Sequence, residues 1–110
     1  MRIPTELRAK ALIRRCATTG VPAVVVRHGD DDAGMLYVKV RTLDGKARLF
    51  GPAPAGLAAD DTLPRLVPHL DAGGVAEAEV DRYLARQIDF DPDLWLIEIE
   101  DRLGRSFHDD

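Results

Sequence analysis

The chain has 110 residues, 45% hydrophobic and 31% charged, with a formal net charge of −4. These values fit one globular domain spanning 1–110 and exclude a disordered tail, and no run reaches the ~20 apolar residues a membrane span requires. A single cysteine, Cys16, excludes an internal disulfide, and the segment from Met1 to Glu6 lacks the apolar stretch of a signal peptide, so the expected compartment is the cytoplasm.

In chain order, Thr5 to Thr19 predicts a helix. Ala9, Leu12, Ile13 and Cys16 recur at helical spacing, and Gly20 suits the position just past the end. Val21 to His28 predicts a strand whose continuous Ala23-Val24-Val25-Val26 run has the character of a buried strand. A turn at Gly29–Gly34 follows, then a strand from Met35 to Thr42 with Leu36, Val38 and Val40 inward and Tyr37, Lys39 and Arg41 outward. Asp44-Gly45 is a strong hairpin signal, and Ala47 to Phe50 is the third strand. Residues 21–50 therefore predict a three-stranded antiparallel meander.

Gly51 to Gly74 holds four prolines and reads as a long connection, with one short helical turn marked by Leu63, Leu66, Val67 and Leu70. Val75 to Ile88 predicts a second helix with Ala76, Val80, Tyr83, Leu84 and Gln87 on one face. Pro92 ends the helical region and pushes Asp91 to extended geometry. From Leu94 the chain alternates as a central strand, with Trp95, Ile97 and Ile99 on the core side and Leu96, Glu98 and Glu100 on the other. Arg105 to Phe107 predicts a short edge strand, and the last residues predict fraying. The expected fold is α+β: an antiparallel sheet, made of the meander plus a C-terminal strand or hairpin, with two helices packed on one face.

Three constellations could carry chemistry. Asp91, Asp93, Glu98 and Glu100, with Asp89 nearby, form an acidic cluster of the type that holds a hard cation through one or two carboxylates. Pro92-Asp93 followed by Glu98-Ile99-Glu100 is similar to the Pro-Asp…Asp/Glu-x-Lys pattern of a nuclease superfamily, but Glu100 stands where the lysine belongs. The alternative makes Asp91 a turn or cap residue and leaves both glutamates on a solvated sheet face. His28 with Asp30, Asp31 and Asp32 could ligate Zn²⁺, or simply form a solvated turn. Arg8, Arg14 and Arg15 make a basic helix face that could meet phosphates, but no aromatic interleaves it and the net charge opposes nucleic acid. Cys16 falls on the apolar stripe of its helix and reads as a core residue, and His69 and His108 have no spacing partner.

Charge is uneven. Residues 1–55 hold ten Lys/Arg against five Asp/Glu, and residues 56–110 hold five against fourteen. The halves are expected to pair within the fold or across a homodimer.

Three stretches resemble a known family: the helix end Leu12-Ile13-Arg14-Arg15; Arg27-His28-Gly29-Asp30 through Ala33-Gly34; and Arg86-Gln87 followed by Asp91-Pro92-Asp93-Leu94-Trp95 and Glu98-Ile99-Glu100-Asp101-Arg102. Together they make the chain similar to an uncharacterised alphaproteobacterial domain-of-unknown-function family, the one numbered fourteen ninety-one. The resemblance implies a single-domain cytoplasmic bacterial protein and supplies no activity.

The residues favour a non-catalytic interaction module over an enzyme, with no cofactor and no membrane, and with an unknown protein or a second copy as partner. Arg86, Gln87, Asp91, Pro92, Asp93 and Trp95 are the expected binding or structural motif. The alternatives are a metal-dependent hydrolase or nuclease on Asp91, Asp93, Glu98 and Glu100, and nucleic-acid binding through the first helix.

Overall fold

A computed structural model describes residues 3–54 and 65–108. Its elements are α1 (Thr5–Thr19), β1 (Ala23–Arg27), β2 (Leu36–Arg41), β3 (Lys46–Pro52), β4 (Leu66–His69), β5 (Val75–Ala76), α2 (Glu77–Phe90) and β6 (Trp95–Glu100). The fold is α+β, with two helices on a six-stranded mixed sheet in the order β1-β6-β2-β3-β4, and β5 paired to β3.

The apolar stripe predicted for α1 buries Ala9, Leu12 and Cys16. The helix ends in a Schellman arrangement: Gly20, at φ 78°, donates to the Ala17 carbonyl and Val21 donates to that of Cys16. No side chain caps its start. Instead the first free amides, Thr5 and Glu6, donate to the Asp32 and Asp31 carbonyls at 3.2 and 2.9 Å, and the Thr5 hydroxyl donates to the Gly34 carbonyl at 2.7 Å.

The strand from Trp95 is interior, paired on both sides, although β2 and not β6 is the middle strand, and the pairing around it differs from a meander. β6 lies between β1 and β2, antiparallel to β1 and parallel to β2. β2 and β3 form the hairpin expected at Asp44-Gly45. The correction has a physical reason. β2 and β6 are buried at nearly every position on both faces, as in strands covered on both sides, although one face also carries Lys39, Arg41, Glu98 and Glu100.

For the same reason the two helices do not share a face. Leu36, Val38, Val40, Phe50, Trp95, Ile97 and Ile99 pack with α1, and Tyr37, Ala47, Leu49, Leu94 and Leu96 pack with Val80 and Leu84 of α2. The sheet is thus the middle of three layers.

The valine run of β1 is not buried. It is an edge strand, with Val24, Val25 and Val26 exposed to 55%, 37% and 53%. Leu66 to His69 is a strand paired to β3 rather than a helical turn, with Pro68 tolerated because β4 is the opposite edge. Leu63 lies outside the described residues, as does the expected fraying at Asp109 and Asp110.

Val75 and Ala76 pair with β3 before the helix begins, and α2 continues past Ile88 to Phe90. Arg105 to Phe107 forms no strand. That segment is held by the buried Asp101 carboxylate, which accepts from the Arg105 amide and guanidinium at 2.8, 2.9 and 3.0 Å.

Candidate functional site

Two of the motif stretches, far apart in sequence, meet at one end of the sheet. The Arg27 guanidinium donates to the Pro92 carbonyl at 2.6 Å, and the Asp30 amide donates to the Asp93 carbonyl at 2.9 Å. The Trp95 indole N–H donates to the Asp30 carbonyl at 2.7 Å. The Asp30 side chain closes its own turn by accepting from the Asp32 and Ala33 amides. This approach explains Gly29: a Cβ there would lie 2.1 Å from the Asp93 carbonyl oxygen, so any side chain would force the two stretches apart.

His28 lies over Trp95 with ring centroids 4.0 Å apart, and its Nε2 meets the Asp31 carboxylate at 2.6 Å. Trp95 is 2% exposed. Both rings border a cleft of about 550 Å³ between α1 and β1, lined also by Lys10, Ile13 and Arg14 of the helix and Val25 of the strand. The cleft opens beside the exposed valines, so an apolar groove and an open strand edge are contiguous.

The opposite face carries a charge network. Lys39, expected to point outward, is 3% exposed and is held by three acids: Glu77 and Asp81 at 2.8 Å and Glu98 at 3.4 Å. Arg41 meets Glu77 at 2.9 Å and Glu100 at 2.8 Å. Burial works against the Lys39 charge, but hydrogen bonds to Asp81 and Glu77 outweigh it, so the ammonium titrates above its ordinary value. The hydrogen bond from Lys39 in turn holds the Glu77 carboxyl below its usual range. A lysine kept protonated is not a nucleophile. Its sequence signal was Glu77 and Asp81, an acidic pair one turn apart at the start of a helix, with Lys39 set between Val38 and Val40.

The acidic candidates are divided between these two places. Glu98 and Glu100 belong to the network. Asp91 sits at the turn before β6, where its Oδ1 accepts from the Asp93 amide at 3.1 Å and its own amide donates to the Gln87 carbonyl at 2.8 Å. Asp89 and Asp93 are exposed. Among the described residues no group of three or more His, Cys, Asp or Glu side chains is placed to hold a metal ion.

Arg86 stacks over the Tyr83 ring, 5.9 Å from its centroid, and Gln87 accepts from the Tyr37 hydroxyl at 3.5 Å. His69 bridges the Tyr83 hydroxyl and the Pro52 carbonyl, and His108 meets Ser106. Cys16 is fully buried and burial pushes its thiol pKa up, the opposite of an activated nucleophile. On the basic helix Arg14 and Arg15 are exposed, and Arg15 donates to the Phe107 carbonyl at 2.7 Å. No helix among the described residues is long and apolar enough to cross a membrane.

No curated protein matches the chain. Solved structures do. A crystal structure of a DUF1491 family protein from Caulobacter crescentus CB15 is 37% identical over 97% of this chain and 93% of its own, with a TM-score of 0.79. An NMR structure of a DUF1491 family protein from the same organism is 38% identical over 98% and 94%, with a TM-score of 0.80. The solution structure of protein Atu0922 from A. tumefaciens is 38% identical over 91% and 86%, with a TM-score of 0.76. The family described as a protein of unknown function, DUF1491, matches residues 3–109, and the chain belongs to that family.

Proposed function

We propose that this protein is a non-catalytic interaction module, and that its working face is the β1 edge with the cleft beside it. The observation that carries the reading is the exposure of three consecutive valines on a strand whose outer edge is unpaired among the described residues. Such an edge is a template for another extended chain: main-chain hydrogen bonds supply affinity, and a neighbouring pocket supplies side-chain selectivity. Here the pocket is formed by Ile13, Val25, His28 and Trp95, with Lys10 and Arg14 at the helix side. The remaining conspicuous groups are engaged elsewhere, with the acids on Lys39 and Arg41 and the Asp91 turn supporting the cleft wall. A reducing, cytoplasmic setting belongs to the same reading, supported by the buried thiol of Cys16.

The test is a ¹⁵N titration with short synthetic valine- and aspartate-containing peptides, run beside a hydrolase and nuclease screen with Mg²⁺, Mn²⁺ and Zn²⁺. The reading expects saturable shifts at Val24, Val25, Val26, His28 and the Trp95 indole. Metal-dependent turnover lost in Glu98→Gln would overturn it, as would the absence of any peptide- or concentration-dependent shift on this face.

A further inference from the structure

We propose that the chain seated on the β1 edge is β1 of a second copy, paired antiparallel about a two-fold axis between the two Val24 residues. This rests on the β1 edge being the working face, and it names the occupant.

The backbone phase comes first. The Glu100 amide donates to the Pro22 carbonyl at 3.0 Å, and the register sets Val24 opposite Glu98 and Ala23 opposite Ile99. Hydrogen-bonded and non-bonded pairs alternate in an antiparallel ladder. Val24 therefore turns its N–H and C=O toward β6, and Ala23 and Val25 turn theirs to the open edge. A register break follows Val25, so the regular outward groups are those of Ala23 and Val25. An axis at Val24 uses all of them: Ala23 of each copy exchanges both bonds with Val25 of the other. The Val24 side chains, 55% exposed in one copy, then meet across the axis at the close, non-bonded position of the ladder.

Charge agrees with this orientation. α1 begins against Asp31 and Asp32, through the amides of Glu6 and Thr5, and returns through Gly20 and Val21 into β1, so it runs antiparallel to the strand. One end of the edge thus carries the acids of Glu6, which pairs with Lys10 at 3.5 Å, and of the Asp30–Asp32 loop, where Asp31 meets His28. The other carries Arg14, exposed and without an ion-pair partner among the described residues. An antiparallel two-fold brings the acidic end of each copy to the basic end of the other. A parallel pairing would set like against like. The strand itself has no charge between Pro22 and Arg27, so the lysine that commonly protects a sheet edge is absent. Pairing leaves both α1 helices on one face of a continuous sheet, with the cleft along Val25 walled on its open side by the second copy.

The experiment is sedimentation of the full chain from about 1 µM to about 1 mM, a range covering weak to moderate association. The wild type is expected to approach twice the 12.1 kDa monomer mass. Val24→Lys sets two ammonium groups across the axis while leaving the folded copy intact, because Val24 is exposed and faces Glu98. It should raise the dimer dissociation constant by more than about tenfold with circular dichroism unchanged. Arg14→Glu should weaken the dimer about threefold, and adding Glu6→Arg should restore it. A mixed-label NMR sample should show cross-copy contacts between Val24 methyl groups. A wild type that stays monomeric throughout the range overturns the proposal, as does a dimer indifferent to Val24→Lys. If the protein is monomeric and the peptides still shift Val24–Val26, the interaction-module reading stands and only the second copy is wrong. If the peptides also leave that face unmoved, both fail.

Discussion

The two flanks of β6 contrast. On one side lies β2, parallel and buried on both faces, and between it and α2 a lysine is sealed in by three carboxylates. On the other lies β1, antiparallel, with its valines in water. Charge has gone inside on the first flank and apolar surface has stayed outside on the second. The buried charge is compensated, so it specifies how α2 docks. The exposed apolar edge has no compensation within the described residues, which is why the proposed pairing is placed there.

The largest expected effect lies where the flanks meet. Trp95 fills the core on the α1 face and ties the Asp30 turn through its indole N–H. Trp95→Ala should cost about 3–5 kcal/mol, read by chemical denaturation.

Next is the sealed flank. Lys39→Ala takes the cation from Asp81 and Glu98 and leaves Glu77 with Arg41 alone, and should cost about 2–3 kcal/mol, less than for a fully buried pair because those acids are partly exposed. The pH dependence has a definite sign. Glu77 is depressed below its ordinary value of 4.5, so it binds fewer protons folded than unfolded. Its contribution is fully present above that value and is lost as pH falls through the lower folded value. Stability read from denaturation curves should therefore fall as pH drops through that acid range for the wild type, and fall less for Lys39→Ala. A variant with wild-type acid sensitivity would mean that Lys39 is not what holds Glu77 down.

At the turn that supports the cleft, Asp91→Ala should cost about 1 kcal/mol and lower the Tm by several degrees, since it removes the acceptor of the Asp93 amide. Unchanged or raised stability together with lost metal binding would instead favour a carboxylate site there. The smallest effect belongs to the open flank: Val24→Lys should leave monomer stability within about 0.5 kcal/mol. A large loss would show that β1 depends on the burial of Val24 within one copy.

Much of this was legible locally. The α1 stripe of Ala9, Leu12 and Cys16 and the stop at Gly20 follow from helical spacing and from left-handed geometry that glycine adopts freely. The Asp44-Gly45 hairpin and the end of α2 before Pro92 follow from turn chemistry in the same way. The acidic stretch was visible as a cluster, but its division was not: strand alternation puts Glu98 and Glu100 on one face without saying which cations lie across it.

What the sequence by itself determined, then, is the first helix with its stop at Gly20, the Asp44-Gly45 hairpin, the end of the second helix before Pro92 and the strand that starts at Trp95, because these depend on neighbours within a few residues. Only the tertiary structure decided which strands are neighbours. Val24-Val25-Val26 has the composition of a buried strand and yet lies at an edge, since β6 inserts between β1 and β2. The same insertion sets α1 and α2 on opposite faces, places Lys39 in register with Glu98, and brings Gly29 against the Asp93 carbonyl. Those outcomes depend on pairing between segments some sixty residues apart, which no local period encodes.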